Sequence, residues 1–219
     1  MWLPFTNTTL YQIGQPQGIA PTIWFKQTNP MSNWSINQIG KAIQQGAVIA
    51  YPTDTVWGLG CDPLNFDSIT RLLRIKQRPL HKGLILLARC LDDCKNFIDP
   101  ELTPTELEQL NQTGEHPITW LIPASQQCPF WLRGDSNDIA IRISKHAFIQ
   151  KIGQRLKLPL VSTSVNRSGQ RAMDTEILIR KNFYHELDYI VSGYKTGKKI
   201  ASEIKSLRSG KTIRAYQST

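Results

Sequence analysis

From Ser32 onward, short apolar runs alternate with segments of helical spacing, and this alternation restricts the fold more than any other feature. Ser32 or Ser35 can cap a helix carrying Ile36, Ile39 and Ile43 that ends at Gly46, and residues 47–51 then read as a short buried strand. Asp67 is placed to cap a second helix with Ile69, Leu72, Leu73 and Lys76, followed by a strand over 83–88. Short helices near 91–97 and 104–111 precede a strand at 118–122. The alternation of Ile139, Ile141 and Ile143 predicts a strand with one buried face. A helix over 147–156, a strand over 160–163, a helix over 175–182 and a strand over 188–191 continue the series. The stretch SEIKSLRSGKTIRAY reads as a hairpin turning at 208–211. Strands separated by helices predict an α/β domain, and the closing hairpin argues for a mixed sheet instead of an all-parallel one. Residues 1–30 contain one charge, Lys26, and read as an N-terminal arm whose Trp2, Phe5, Trp24 and Phe25 give it the means to dock on the body. The globular domain is expected over 31–219.

A net charge of +9 favours phosphate-bearing partners, and its distribution is uneven. Residues 66–90 hold Arg71, Arg74, Lys76, Arg78, Lys82 and Arg89 against Asp67 alone, and residues 195–214 hold seven lysines and arginines against Glu203. The longest apolar runs, such as 84–88, are far too short to cross a bilayer. No basic segment followed by an apolar one opens the sequence, so the expected location is the cytoplasm, with no membrane partner. Cys61, Cys90, Cys94 and Cys128 do not form a disulfide framework in a chain of this size, and no Cys/His pair completes a zinc site, so the cysteines are expected as free thiols.

Four segments carry chemistry. YPTDTVWGLGCDP (51–63) follows a strand, with Pro52 fixing a turn, Thr53 and Thr55 offering hydroxyls, and Gly58 and Gly60 permitting close backbone approach. It has neither the third glycine of a dinucleotide fingerprint nor a P-loop. IKQRPLHKGLILL (75–87) brings together Lys76, Arg78 and Lys82. Arginine can fork onto two phosphate oxygens, and lysine acts as a point charge. Lys76 could simply complement a helix C-terminus, but Arg78 precedes Pro79 and leaves the helix. In AIRIS (140–144), Arg142 lies between two buried positions, where it either points with the isoleucines or ends the strand, and needs an anion. VSTSVNRSG (161–169) runs from a strand into hydroxyls and Asn166, able to donate several hydrogen bonds to phosphate or carboxylate groups.

Taken in order from Trp34 to Tyr216, YPTDTVWGLGCDP, KQRP with Lys82, AIRIS, STSVNRSG and SEIKSLRSG…IR resemble the YrdC-like family. The resemblance implies a single domain with a twisted, open mixed sheet flanked by helices and a basic concave face. It implies synthesis of threonylcarbamoyl-adenylate and pyrophosphate from L-threonine, bicarbonate or CO2, and ATP. The product would serve modification of the adenosine next to the anticodon of tRNA, together with TsaB-, TsaD- and TsaE-type proteins. Threonine's amine, as a carbamate, would attack the α-phosphorus in line, so no protein nucleophile is required and catalysis rests on positioning and charge neutralisation. The resemblance assigns Lys76, Arg78 and Arg142 as catalytic. It assigns Lys76, Arg78, Lys82, Asp138, Ser164, Asn166 and Arg214 to ATP, and Thr55, Arg142, Ser162 and Ser202 to threonine. Mg²⁺ is expected on the phosphates, without a metal site made by the protein.

Three departures from the family's pattern stand out: His116-Pro117-Ile118-Thr119 where many relatives have Gly-Pro before the threonine, Leu87 where some carry histidine, and Val165 in place of alanine, expected to narrow the pocket. The alternative function is a double-stranded RNA-binding protein acting in RNA or ribosome maturation, drawn to RNA by its basic face. Against it, the sequence carries no RNP-like aromatic stripe and no KH loop. A carbamoyl-transfer domain of hydrogenase maturation is disfavoured because the acylphosphatase and zinc-finger segments of those large chains are missing from this sequence.

Overall fold

The computed structural model describes residues 32–111, 116–197 and 200–216; the arm at 1–30, and with it the docking of its four aromatic residues, lies outside the described residues. Ser32 caps α1 (Asn33–Gln44) by accepting the Ser35 amide at 3.2 Å, and the helix buries Ile36, Ile39 and Ile43. The chain enters the sheet as β1 (Ile49–Tyr51), turns through Pro52–Val56 and returns antiparallel as β2 (Gly58–Gly60), with Tyr51 opposite Gly58 and Ile49 opposite Gly60. The two glycines, expected in a turn, are therefore in a strand. A Cβ on Gly60 would lie 2.3 Å from the Val161 carbonyl and 2.6 Å from the Tyr51 ring, and one on Gly58 would lie 3.1 Å from that ring. They are small because the Tyr51 side chain lies across them, its hydroxyl donating to the Val161 carbonyl at 3.1 Å.

Helix α2 (Phe66–Lys76) is capped by Asn65, whose side chain accepts the Ser68 amide at 2.9 Å; Asp67, the expected cap, sits one residue inside, in the first turn. β3 (Ile85–Ala88) follows. The helix expected near 91–97 is only a 3-10 turn, Leu91–Cys94. α3 (Pro104–Asn111), β4 (Ile118–Pro123), a one-turn helix α4 (Phe130–Arg133) and β5 (Asp138–Ile143) come next. α5 (Ala147–Leu156), β6 (Leu160–Ser164), α6 (Glu176–Phe183) and β7 (Tyr189–Ile190) precede the closing hairpin of β8 (Glu203–Ser206) and β9 (Thr212–Arg214).

Among the described residues nine strands form one sheet in the order β7-β1-β2-β6-β3-β5-β4-β8-β9. The β1–β7, β3–β5 and β4–β8 pairs are parallel and the rest antiparallel, so the sheet is mixed, open and twisted, as expected. Side chains alternate across it. Val48, Ala50, Leu59, Leu86, Ile139, Ile141 and Val161 pack on one face against α2, α6 and α4 in the larger core. The opposite face is covered only in part: Ile49, Tyr51, Leu87 and Leu160 pack against α1 and α5. Each fully buried Leu or Ile contributes about 1.5–3 kcal/mol. The remainder of this second face, where Gly58, Ile85, Ala140, Arg142, Ser162 and Ile204 emerge, is the floor of an open cleft. Among the described residues, no helix is long and apolar enough to cross a membrane.

Candidate active site

The cleft has a volume of about 590 Å³ and is lined by every site residue inferred from the sequence: Thr55, Lys76, Arg78, Lys82, Asp138, Arg142, Ser162, Ser164, Asn166, Ser202 and Arg214. This size suits a nucleotide-scale ligand. Among the described residues its lining carries six cations, the sixth being Arg133, against one carboxylate, Asp138.

At one end, Lys76 is the last residue of α2 but does not serve that helix's C-terminus from the surface. It is 4% exposed, and its ammonium donates to the Ser164 carbonyl at 2.7 Å, to Ser164 Oγ at 3.0 Å and to Asn166 Oδ1. Ser164 Oγ also donates to Asn166 Oδ1 at 2.7 Å. Burial, helped by the nearby Arg78 charge, lowers the Lys76 pKa to about 8. The loop carrying Asn166 is tied to α2 by Arg167, which donates to the Ile75 carbonyl and forks onto Glu186 at 2.5 and 3.0 Å. Arg78 leaves the helix after Gln77, which adopts left-handed backbone. Its guanidinium donates to the Gly83 carbonyl at 2.9 and 3.2 Å and to the Lys82 carbonyl at 3.0 Å, closing the 78–83 loop on itself. Burial lowers its pKa as well.

At the other end, Arg142 corrects the sequence reading: it neither ends β5 nor follows the isoleucines. It pairs with Leu87 at the next-to-last position of β5 and shares the cleft face with Asp138 and Ala140, while Ile139 and Ile141 enter the core. Its Nη1 donates to Thr55 Oγ1 at 2.8 Å, and its Nη2 lies 3.4 Å from Asp54 Oδ1. Thr53 Oγ1 donates to the Val56 carbonyl at 2.7 Å and accepts the Thr55 amide at 3.0 Å, so Thr53 shapes the turn from within while Thr55 faces the cleft. The hairpin closes a third side. Arg214 donates to the Ser202 carbonyl at 2.8 and 3.1 Å, and Thr119 and Ser202 share a hydroxyl hydrogen bond of 2.7 Å. Burial, with the Arg142 charge, lowers the pKa of Arg214.

Val165, expected to narrow the pocket, is fully buried in the core and does not line the cleft; Leu87 likewise packs inside, against α1 and α5. Cys61, Cys90, Cys94 and Cys128 are free, and burial pushes the Cys61 thiol up to about 12, far from nucleophilic readiness. Sequence reading missed Arg133 and Ser136. They arrive because two glycine-bearing loops interlock: a Cβ on Gly134 would meet the His81 carbonyl at 2.1 Å, one on Gly83 would meet the Arg133 carbonyl at 2.8 Å, and the Leu84 amide donates to the Leu132 carbonyl at 2.8 Å.

The Sua5/YciO/YrdC family model, described as telomere recombination, matches residues 41–215. The threonylcarbamoyl-AMP synthase of Stutzerimonas stutzeri is 37% identical over 184 residues, covering 84% of this chain and 98% of its own. That of Vibrio cholerae is 39% identical over 181 residues, covering 82% and 96%. Among solved structures, P. abyssi Sua5 complexed with L-threonine superposes with a TM-score of 0.78 at 24% identity over 86% of this chain and 56% of that one. E. coli YciO does so with a TM-score of 0.74 at 21% identity, over 88% and 94%. The structural likenesses establish the shared fold, and the curated sequences, matched over nearly their whole length at well above 30% identity, add descent: the chain belongs to the Sua5/YciO/YrdC family.

Proposed function

We propose that the protein is a threonylcarbamoyl-AMP synthase, joining L-threonine, bicarbonate or CO2, and ATP into threonylcarbamoyl-adenylate and pyrophosphate. The observation that carries this reading is that a single cleft brings together two chemically different cationic ends. One is a cluster of cations suited to a polyphosphate, and the other a carboxylate-paired arginine suited to an amino acid. The names of the relatives, threonylcarbamoyl-AMP synthase, support it.

In this reading Arg142 receives the threonine carboxylate, with Ser162 beside it on the cleft floor and Thr55 holding the guanidinium. Lys76, Arg78 and Lys82 take the triphosphate, with Ser164, Asn166, Asp138 and Arg214 on the nucleotide and Ser202 seating Arg214 and the amino-acid side. Threonine's amine adds to CO2 and loses a proton to form the carbamate. A carbamate oxygen then forms a bond to the α-phosphorus as the bond to the pyrophosphate oxygen breaks. Pyrophosphate departs with its electron pair, its charge matched by the lysine and arginine cluster. Mg²⁺ carried on the ATP phosphates would neutralise part of their charge. Asp138 is the single carboxylate among the described residues of the lining, so the ATP phosphates would supply the cation's main ligands. The product would pass to tRNA modification through partner proteins.

The test is pyrophosphate release from ATP, Mg²⁺, bicarbonate and each amino acid in turn. Release dependent on both threonine and bicarbonate is expected, and its absence would remove this reading. RNA affinity that falls steeply with salt while synthesis is missing would favour an RNA-binding module instead.

A further inference from the structure

Of the Thr53-Asp54-Thr55 turn, Thr53 braces the turn and Thr55 faces the cleft, whereas Asp54 has been given no task. It sits behind Arg142: Thr55 and Arg142 line the cleft and Asp54 does not. Its Oδ1 lies 3.4 Å from Arg142 Nη2, and among the described residues this buried oxygen makes no hydrogen bond. The Arg142 side chain is 7% exposed, so a full guanidinium charge is held in the protein with Asp54 as its carboxylate neighbour. Adjacent residues of one turn thus hold two nitrogens of the same guanidinium, Thr55 by a hydrogen bond and Asp54 by charge. The turn itself is held from outside: the Gly197 amide donates to the Thr53 carbonyl at 2.8 Å, and a Cβ on Gly197 would come within 2.0 Å of the Asp54 carbonyl oxygen. The backbone that carries Asp54 is therefore held in place.

From this geometry we infer that Asp54 is a positioning residue for the amino-acid end of the cleft: it acts as the resident counter-ion that fixes the Arg142 guanidinium for an incoming carboxylate, without touching the substrate. The inference rests on the amino-acid reading of that end. A carboxylate oxygen without hydrogen bonds is suited to this task, because its attraction to Arg142 does not occupy the donors that must meet the ligand. The ligand then meets an arginine already oriented, and its binding does not have to supply that ordering.

The test is binding of L-threonine, and of 2,3-dihydroxybutyrate as the analogue lacking the amine, to wild type, Asp54→Asn and Asp54→Glu. Asp54→Asn is expected to weaken both ligands by the same factor, about tenfold, as for directly coupled residues. ATP affinity should stay unchanged, and Asp54→Glu should recover part of the loss. Equal threonine affinity in wild type and Asp54→Asn overturns the inference. So does a loss confined to threonine, which would place Asp54 on the amine, and so does an equal loss for ATP, which would reduce Asp54 to a fold-holding residue. If Asp54→Asn does not fold, the neutral pair Asp54→Asn/Arg142→Gln decides. Recovery of its melting temperature supports the pairing, and failure to recover shows that Asp54 acts on something other than Arg142. Wild-type threonine binding separates the two readings: its absence removes the amino-acid site altogether, whereas binding that ignores the Asp54 change removes only the positioning role.

Discussion

Arg142 and Arg78 both line the cleft, yet Arg142 faces the Asp54 carboxylate at 3.4 Å while Arg78 donates to the Gly83 and Lys82 carbonyls. Lys76 resembles Arg78, its ammonium held by a carbonyl, a hydroxyl and an amide oxygen. Neutral acceptors orient a cation and leave its net charge intact, whereas a carboxylate cancels much of the field beyond the pair. The Lys76–Arg78 end therefore projects positive potential suited to a polyanion, and the Arg142 end offers directional donors to a single carboxylate. The fold uses different devices to build them: a helix end and a loop closed on itself at one, a strand side chain backed by a turn at the other.

The largest expected effect comes from removing charge where it is not cancelled. Arg78→Ala should lower kcat/KM for pyrophosphate release by about 100- to 1000-fold, the range for deleting one donor to developing charge. The far-UV circular dichroism should be retained. Turnover unchanged within threefold would break the assignment of this end to phosphate.

Arg142→Ala tests the other end. Its expected signature is a rise of about 100-fold in the KM for threonine, with the KM for ATP moved less than threefold. Because the change leaves the Asp54 carboxylate without its cation, the melting temperature should fall as well. A parallel loss for both substrates would show that the ends are not separable.

The two ends should also part company with pH. Lys76, with its pKa lowered to about 8 by burial and by Arg78, loses its proton as the pH rises through that value, and a neutral amine no longer attracts phosphate. ATP affinity of the free enzyme should fall above about pH 8, with a slope approaching tenfold per pH unit. A Lys76→Arg variant should not show this fall. Stability moves the opposite way: between about pH 8 and 10.5 the unfolded lysine keeps a proton that the folded one has released, so stability rises with pH. ATP affinity flat from pH 7 to 9.5, by calorimetry, would show that Lys76 stays charged or does not meet the phosphates.

How far the sequence reaches follows from the same contrast. Helices α1, α3, α5 and α6 and most strands are legible because their apolar residues recur with the right period. β2 is not, because Gly58 and Gly60 have no side chains to form a pattern, and what makes them a strand is Tyr51 lying across them from the neighbouring strand. The phosphate-end cations are visible as a cluster in one stretch. Arg142 is visible as an anomaly between isoleucines, but its direction depends on which part of the sheet α1 and α5 leave uncovered, a tertiary fact. Asp54 acquires its meaning only from a partner 88 residues away in the sequence. The tie that seats Lys76, through Arg167, Glu186 and the Ile75 carbonyl, is likewise a meeting of distant segments.

Arg133 gives the smallest effect and the finest test. It reaches the cleft because its loop is locked against the 81–84 segment at Gly83 and Gly134, which places it on the side of Arg78 and Lys82. Its Nη1 already donates to the exposed Ser136 carbonyl at 2.7 Å, and the surrounding loop is open to water, so its charge is well screened. Arg133→Ala is therefore expected to raise the KM for ATP only about two- to threefold, leave the KM for threonine unchanged, and lose even that effect at high salt. A change in threonine affinity instead would mean that the two ends of the cleft communicate through the 134–137 loop, which joins α4 to β5 and thus to the strand that carries Arg142.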